Sequence, residues 1–166
     1  GPIRFMFEVF YEPWEAGGRR VMEIKRVTLD AGSQLNRFES RFLVTPDPAG
    51  LKVAAGLARR AGSRVLLEPA AGWLRVWEPL AERTAGHVGL GLVWAAAAPL
   101  APEVRERPDH LLAVLPADAA ERWTYYAGAA WEKSGDLAGP EDWDAYLDAF
   151  TRQLRAPIQV QLSRQP

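Results

Sequence analysis

Alternating apolar and polar positions in the first quarter of the chain predict a meander of antiparallel strands. Residues 3–11 alternate with period two, which is typical of a strand with at least one buried face. The sequence Glu15-Ala16-Gly17-Gly18 predicts a tight reversal into a second strand over residues 20–29, so that the two strands form a hairpin. The turn residues 30–33 then predict a third strand over residues 34–44.

Short apolar runs separated by Gly, Pro and charged residues continue through the middle of the chain. They span residues 51–57, 64–67, 73–77, 88–94 and 111–115. This spacing is typical of an all-β sandwich or barrel. The stretch from 95 to 108 is rich in alanine and proline before a charged run, and it predicts a surface excursion between strands.

A helical pattern lies near the C-terminal end. Pro140 suits the first helical position, and Glu141 and Asp142 suit the positive first turn. Apolar residues then recur every three or four positions on one face: Trp143, Tyr146, Leu147, Phe150 and Leu154. Alternation over 158–162 predicts a final strand after the helix. The sequence therefore predicts a mainly β fold, an antiparallel β-sandwich with one C-terminal α-helix, in which residues 1–166 form a single domain.

Composition and charge exclude several classes of function. A net charge of −1 provides no general attraction for phosphate backbones, so nucleic acid is not an expected partner. The chain has no cysteine, which excludes disulfides, thiol catalysis and cysteine–zinc sites. The longest nearly uncharged apolar run, 88–101, is too short to span a bilayer, so no membrane segment is expected. Motifs for a metal or a nucleotide cofactor are absent from the sequence, so neither is predicted, with a hard cation on scattered carboxylates as the open alternative.

The predicted second and third strands carry a cluster of arginines around one carboxylate. If the turn pairs Leu29 with Gln34, three pairs lie opposite each other: Arg26 and Arg37, Ile24 and Glu39, and Met22 and Arg41. Glu39 then has three guanidiniums around it, and their excess positive charge suits a bidentate carboxylate or sulfate. The same guanidiniums favour Glu39 as a base, nucleophile or counter-ion over a general acid. The alternative is a solvated ladder of paired charges on an outer face.

Two histidines are candidates for proton transfer or ligand contact. Alternation puts His87 on the same strand face as Gly89 and Gly91, where the absence of side chains leaves room for a ligand or for another segment of backbone. His87 is therefore the first candidate for general acid–base chemistry, with a rim position in a closely crossed strand as the alternative. His110 begins a predicted strand and is either a ligand contact or a cap.

Three large aromatic side chains, Tyr125, Tyr126 and Trp131, lie on a segment otherwise made mainly of glycine and alanine. Tyrosine and tryptophan combine a flat apolar face with a polar group, which is the combination that binds a sugar ring and its hydroxyls. The alternative is that these rings belong to the hydrophobic core.

Three segments together resemble a known family: Gly1-Pro2-Ile3-Arg4 leading into a strand, residues 25–38, and residues 125–131 with the helix at Asp142-Trp143. They resemble the C-terminal half of the bacterial domain-of-unknown-function family 4861. The resemblance implies a partial β-sandwich of the galactose-mutarotase type, exported to the periplasm or secreted, and associated with the breakdown of uronic-acid-containing polysaccharides. It also implies that an N-terminal half of the same protein is a partner of these residues.

The resemblance implies a carbohydrate-active protein, with lyase, dehydratase or hydrolase chemistry on uronate oligosaccharides. The candidate catalytic residues are His87, Glu39 and Tyr126, and the candidate substrate contacts are Arg26, Arg37, Arg41, Tyr125, Trp131 and His110. Elimination needs a neutralised carboxylate and a base, whereas hydrolysis needs two carboxyl groups on either side of the bond. A sugar-binding sandwich without turnover and a helix-grip or lipocalin-like carrier of apolar ligands are the alternatives.

Overall fold

The computed structural model describes residues 1–94, 101–118 and 122–161, in which the strands form two antiparallel sheets. The strands are β1 (Arg4–Phe10), β2 (Trp14–Ala16), β3 (Arg19–Asp30), β4 (Leu35–Thr45), β5 (Lys52–Ala58), β6 (Arg64–Glu68), β7 (Trp73–Pro79), β8 (His87–Trp94), β9 (Glu103–Glu106), β10 (His110–Pro116) and β11 (Arg122–Trp131). One α-helix, α1 (Pro140–Arg155), and short 3₁₀ turns at Arg83–Ala85 and Glu132–Ser134 complete the described elements.

The larger sheet has the order β1-β3-β4-β11-β8-β7-β6, and β2 pairs with the same edge of β3 as β1. The smaller sheet has the order β5-β10-β9. It packs on one face of the larger sheet, and α1 packs on the other. Strand β7 is therefore buried on both faces: Leu74 and Val76 point towards the smaller sheet, whereas Trp73 and Trp77 point towards α1.

Helix α1 begins and ends as the sequence predicts. Pro140 is at its start, arginines occupy its last turn, and Trp143 and Leu147 are fully buried against the larger sheet. Two polar contacts also hold the helix to β7. The Arg75 guanidinium donates to both oxygens of Asp144 at 2.7 and 2.8 Å, and the Trp73 indole N–H donates to Asp148 at 2.8 Å.

The predicted mainly β fold with antiparallel sheets and one C-terminal helix is confirmed, and the strands of the described residues form no closed barrel. Two local predictions are wrong. Residues 157–161 form no strand, and Ile158 is 92% exposed, because alternation of apolar residues does not by itself pair a segment with a neighbouring strand. Residues 103–106 form β9 on the smaller sheet, whereas a surface excursion was predicted there. Residues 95–100 and Leu162 lie outside the described residues.

Strand β1 forms an edge of the larger sheet with large apolar side chains exposed on both of its faces. Phe5, Met6, Phe7 and Phe10 are each between 45% and 69% exposed. Within the described part of the chain, β1 pairs only with β3, so its outer edge presents free backbone donors and acceptors. No helix in the same ranges is both long enough and apolar enough to cross a membrane.

Candidate functional site

The pairing register of β3 and β4 determines which residues of the predicted arginine cluster lie opposite each other. The opposed pairs are Thr28 and Arg37, Arg26 and Glu39, and Ile24 and Arg41. The predicted register is therefore wrong by two positions along β4. Residues 33 and 34 lie outside the ladder, and the Gln34 N–H donates to the Tyr146 hydroxyl at 3.0 Å. An even shift keeps every side chain on its face, so the predicted residues still lie together.

These residues form part of a charged area, the arginine surface, on the α1 side of the larger sheet beyond the end of the helix. We define the arginine surface as Glu8, Arg26, Arg37, Glu39, Arg41 and Arg122, which share one face of β1, β3, β4 and β11. Five of the six, with Phe10 and Ile24, line an open cavity of about 230 Å³. An open cavity of that size is suited to hold part of an extended ligand and is too small to enclose the whole of one.

Half of the positive charge on the arginine surface is compensated within the protein. Arg26 donates to Glu8 through two nitrogens at 2.8 and 3.0 Å, and Arg37 donates to Glu39 at 3.0 Å. Arg41 and Arg122 make no ion pair among the described residues, although they lie directly opposite each other on neighbouring strands. Like charges in that position repel each other.

The uncompensated pair, Arg41 and Arg122, is therefore suited to an anion. Guanidinium groups bind carboxylates in bidentate geometry, and an anion between the two would remove their mutual repulsion. Glu39 lies two residues from Arg41 on the same face of β4, a displacement of roughly 7 Å along the strand. The arrangement can thus hold an acidic group and present a carboxylate oxygen close to it.

Tyr126 borders the arginine surface where α1 ends. It is the cross-strand neighbour of Arg37, and its ring meets Phe150 of the helix edge-on at 5.0 Å between centroids. Arg37, Tyr126 and Phe150 line a second open cavity of about 320 Å³. Because Arg37 and Glu39 are successive residues on this face of β4, the two cavities are neighbours along the strands.

His87 shares this face of the sheet but lies far from the arginine surface. It is six residues along β8 from Val93, the partner of Tyr126, which corresponds to roughly 20 Å. The helix covers the face between them. A Cβ on Gly89 would come within 2.7 Å of Trp143, and one on Gly91 within 2.8 Å of Leu147. Of the two explanations for these glycines, the structure therefore favours a closely packed neighbouring segment over a ligand.

A carboxylate holds His87 at the end of its strand. Glu132 accepts from the His87 backbone N–H at 2.8 Å, and its carboxylate lies 2.9 Å from Nδ1 of the imidazole. Hydrogen bonding from the His87 side chain is the main cause that lowers the pKa of Glu132. The Trp131 indole donates to the Ala85 carbonyl at 2.8 Å beside this pair. These contacts join the two 3₁₀ turns, which is a structural role.

The other predicted contacts do not join the arginine surface. Tyr125 and Trp131 point to the opposite face of β11, where Tyr125 is buried and stacks on Phe38 at 5.1 Å. His110 is on the smaller sheet, with Nδ1 at 3.0 Å from Asp109. The segment around Tyr125 is a central strand rather than an exposed loop. Gly128 is needed there because a Cβ would lie 2.0 Å from the Gln34 carbonyl.

Sequence reasoning missed two members of the arginine surface. Glu8 lies in the predicted hairpin, but its position opposite Arg26 depends on the exact register of β1 and β3 on either side of the short β2. Arg122 lies on β11, which pairs with β4 across more than eighty residues of sequence. No local pattern signals that pairing. Among residues 1–94, 101–118 and 122–161, no group of three His, Asp or Glu side chains is arranged to hold a metal ion.

Comparison with known proteins identifies the family. The sequence model of DUF4861, described as a domain of unknown function, matches residues 1–160, so the chain belongs to that family. The chain is 29% identical over 167 residues to "Uncharacterized protein P7" of Formosa agariphila. That match covers 98% of this chain but 40% of the relative, so the chain spans well under half of the relative's length. No solved structure matches the chain.

Proposed function

We propose that this DUF4861 chain acts on uronic-acid-containing oligosaccharides and holds them by a carboxylate on the arginine surface. The observation that carries the proposal is the opposed pair of Arg41 and Arg122, which has no carboxylate partner among the described residues. Two unpaired guanidiniums beside an open cavity favour a ligand that is both anionic and larger than a single ion. An acidic sugar within a chain has both properties.

The chemistry that we propose is elimination across C4 and C5 of the uronate. Arg41 and Arg122 neutralise the carboxylate, which makes the adjacent C5–H more acidic. Glu39 takes that proton, the C–H electron pair forms the C4–C5 double bond, and the bond from C4 to the leaving oxygen breaks. Tyr126, on the same sheet face, is the candidate that protonates the leaving oxygen. His87 has no part in this scheme, because it lies roughly 20 Å along the sheet.

Hydrolysis is a second candidate, favoured by the presence of Glu8. Glu8 and Glu39 both lie opposite Arg26, on strands to either side of it, so their backbones are about 10 Å apart. Carboxyl groups about 6.5–9.5 Å apart are typical of inverting glycoside hydrolases. Elimination remains the leading proposal, because a guanidinium donates hydrogen bonds to each of these carboxylates and hydrolysis needs one of them as a proton donor.

The test measures binding and turnover separately. The purified chain is titrated with uronate oligosaccharides and with the same oligosaccharides after reduction of the carboxylates. We expect binding of the acidic series only, with a loss of about tenfold or more in Arg41→Gln and Arg122→Gln, as for a charge-assisted hydrogen bond. Arg20→Gln, an exposed arginine of β3 outside the cavity, is the matched control. Equal binding of the reduced sugars would contradict the proposal.

Turnover then distinguishes the reactions. A new conjugated double bond, followed by its ultraviolet absorbance, indicates elimination, whereas release of reducing ends without that absorbance indicates hydrolysis. Glu39→Gln should abolish either reaction while the oligosaccharide still binds. Binding without any product would favour the alternative of a non-catalytic sugar-binding sandwich.

Two further proposals come from the family resemblance. We propose that the protein is exported to the periplasm or secreted, which cell fractionation of the native host tests. We also propose that another segment of a longer polypeptide covers β1, because the relative is longer than this chain and β1 is an apolar edge. Protection from hydrogen exchange of the β1 amides that point away from β3, in a longer form but not in the 166-residue chain, is the expected result.

A further inference from the structure

A polar pocket lies on the opposite face of the larger sheet, where the smaller sheet ends at β5. We call it the Lys25 pocket, and it has a volume of about 220 Å³. The residues that line it include Trp14, Glu23, Lys25, Ser40, Trp123 and Tyr125. None of them belongs to the arginine surface, so this is a separate site at the mouth of the sandwich.

Four polar groups lie at the bottom of the Lys25 pocket. The Lys25 ammonium is 3.1 Å from a Glu23 carboxylate oxygen, and both side chains are at least four-fifths buried. The Ser40 hydroxyl, which is completely buried, faces the Tyr125 hydroxyl and makes no hydrogen bond of normal geometry. Burial is the main cause that raises the pKa of Tyr125, so its hydroxyl keeps its proton at neutral pH. The pocket therefore offers hydrogen-bond donors and acceptors close together.

These polar groups are unusual for a structural core. A buried ion pair is weak evidence for stability, since the loss of hydration offsets the attraction between the charges. A buried hydroxyl without a normal hydrogen bond adds a further unfavourable term. Both features have a physical explanation if a ligand enters and forms hydrogen bonds with them.

Aromatic rings also line the pocket. Trp123 is buried and meets Tyr125 at 5.0 Å between ring centroids, which fixes the position of the Tyr125 hydroxyl. Trp14, on the short strand β2, is 39% exposed although it lines the pocket. A partly exposed tryptophan beside a polar pocket supplies a flat apolar surface for a ring and an N–H for its hydroxyls.

The charges of the pocket select against an acidic ligand. Lys25 is paired with Glu23, and Lys52 at the rim lies 3.6 Å from Glu103, so each positive charge already has a carboxylate. The volume is below the roughly 300–1,000 Å³ of pockets for drug-sized ligands and suits one ring. We propose that the Lys25 pocket binds a single neutral saccharide ring, stacked on Trp14 and hydrogen-bonded to Glu23, Lys25, Ser40 and Tyr125. This inference goes beyond the proposed function and does not depend on it.

The experiment titrates the chain with glucose, galactose, mannose and xylose, followed by tryptophan fluorescence and by amide chemical shifts. We expect at least one of these sugars to saturate the protein at about millimolar concentration, a typical affinity for so small a contact. Ser40→Ala should weaken binding by about five- to tenfold, as for the loss of one hydrogen bond, without lowering the melting temperature. Trp14→Ala should weaken it by about tenfold.

Trp131→Ala is the matched control, because Trp131 is also a partly exposed tryptophan on the same sheet but lies outside the pocket. It should leave the affinity unchanged. Absence of saturation with all four sugars would overturn the proposal. Saturation that persists unchanged in both Trp14→Ala and Ser40→Ala would place the sugar elsewhere and would also overturn it. Tighter binding of glucuronate than of glucose, lost in Trp14→Ala, would refute the assignment of a neutral ligand.

Discussion

The contact between Arg75 and Asp144 provides the sharpest prediction about how α1 is held on the sheet. Arg75 is 8% exposed on β7, and it donates two hydrogen bonds to the carboxylate of Asp144 on the helix. Asp144→Ala removes the acceptor and leaves a buried guanidinium without its counter-charge. Removal of one member of a buried pair costs about 3–5 kcal/mol.

We expect Asp144→Ala to lower the free energy of unfolding by an amount near the lower limit, about 3 kcal/mol. The reason is that the Asp144 side chain is itself 22% exposed, so water can replace part of the lost interaction. For a domain of this length, that loss corresponds to a decrease of about 6–12 °C in melting temperature. Urea unfolding followed by far-ultraviolet circular dichroism measures the free energy, and thermal unfolding measures the temperature. Glu141→Ala, in the exposed first turn of the same helix, should cost less than about 1 kcal/mol.

A double variant tests the reason for the loss. If the orphaned charge is the cause, Arg75→Met combined with Asp144→Leu should recover at least half of the stability that Asp144→Ala loses, because apolar residues of similar volume avoid the desolvation of both charges. A loss below about 1 kcal/mol for Asp144→Ala would refute the reasoning, since it would show that the pair is no stronger than a surface salt bridge.

Three further predictions concern other parts of the molecule. Gly128→Ala should lower the free energy of unfolding, measured in urea, by about 3 kcal/mol or more, because the added Cβ would overlap the Gln34 carbonyl. Glu132→Gln should lower stability at about pH 6. This difference should shrink as the pH falls below the ordinary carboxyl pKa near 4.5 and should vanish only below the lowered pKa that Glu132 has in the folded state, since His87 lowers that pKa in the folded state only. Phe7→Lys should reduce concentration-dependent self-association of the 166-residue chain in sedimentation velocity, because a charge on a free edge opposes strand pairing between copies.

Each of these predictions has a contradicting result. Normal stability of Gly128→Ala would mean that the β3–β4 connection moves freely away from β11. A Glu132→Gln difference that persists unchanged at pH 3 would exclude ionisation as its cause. Self-association of Phe7→Lys equal to that of the unchanged chain would locate the contact away from β1, and Arg20→Gln serves as the control for a change of surface charge elsewhere.

Local patterns in the sequence predicted much of the fold, because the period of apolar residues reports which face of an element is buried. The helix from Pro140 to Arg155 followed from its proline, its first-turn carboxylates and its apolar face. The strand face that carries Arg26, Arg37, Glu39 and Arg41 followed from alternation. The same rule failed at residues 158–161, because alternation does not report whether a segment pairs with another strand.

Which residues make up the candidate sites depends on long-range contacts that cannot be predicted from the spacing of residues in the sequence. Arg122 reaches the arginine surface, and Tyr125 reaches the Lys25 pocket, through the pairing of β11 with β4. The glycines beside His87 indicated an open face, yet the helix fills that space with Trp143.

The sequence by itself determined the helix and most of the strands, and which side chains share a face of each one, since these properties depend mainly on neighbours within a few residues. The tertiary structure alone decided which faces meet, which arginines lack a carboxylate and which polar groups are buried together. Those properties depend on strand order and on the position of α1, which are set by the packing of residues far apart in the chain.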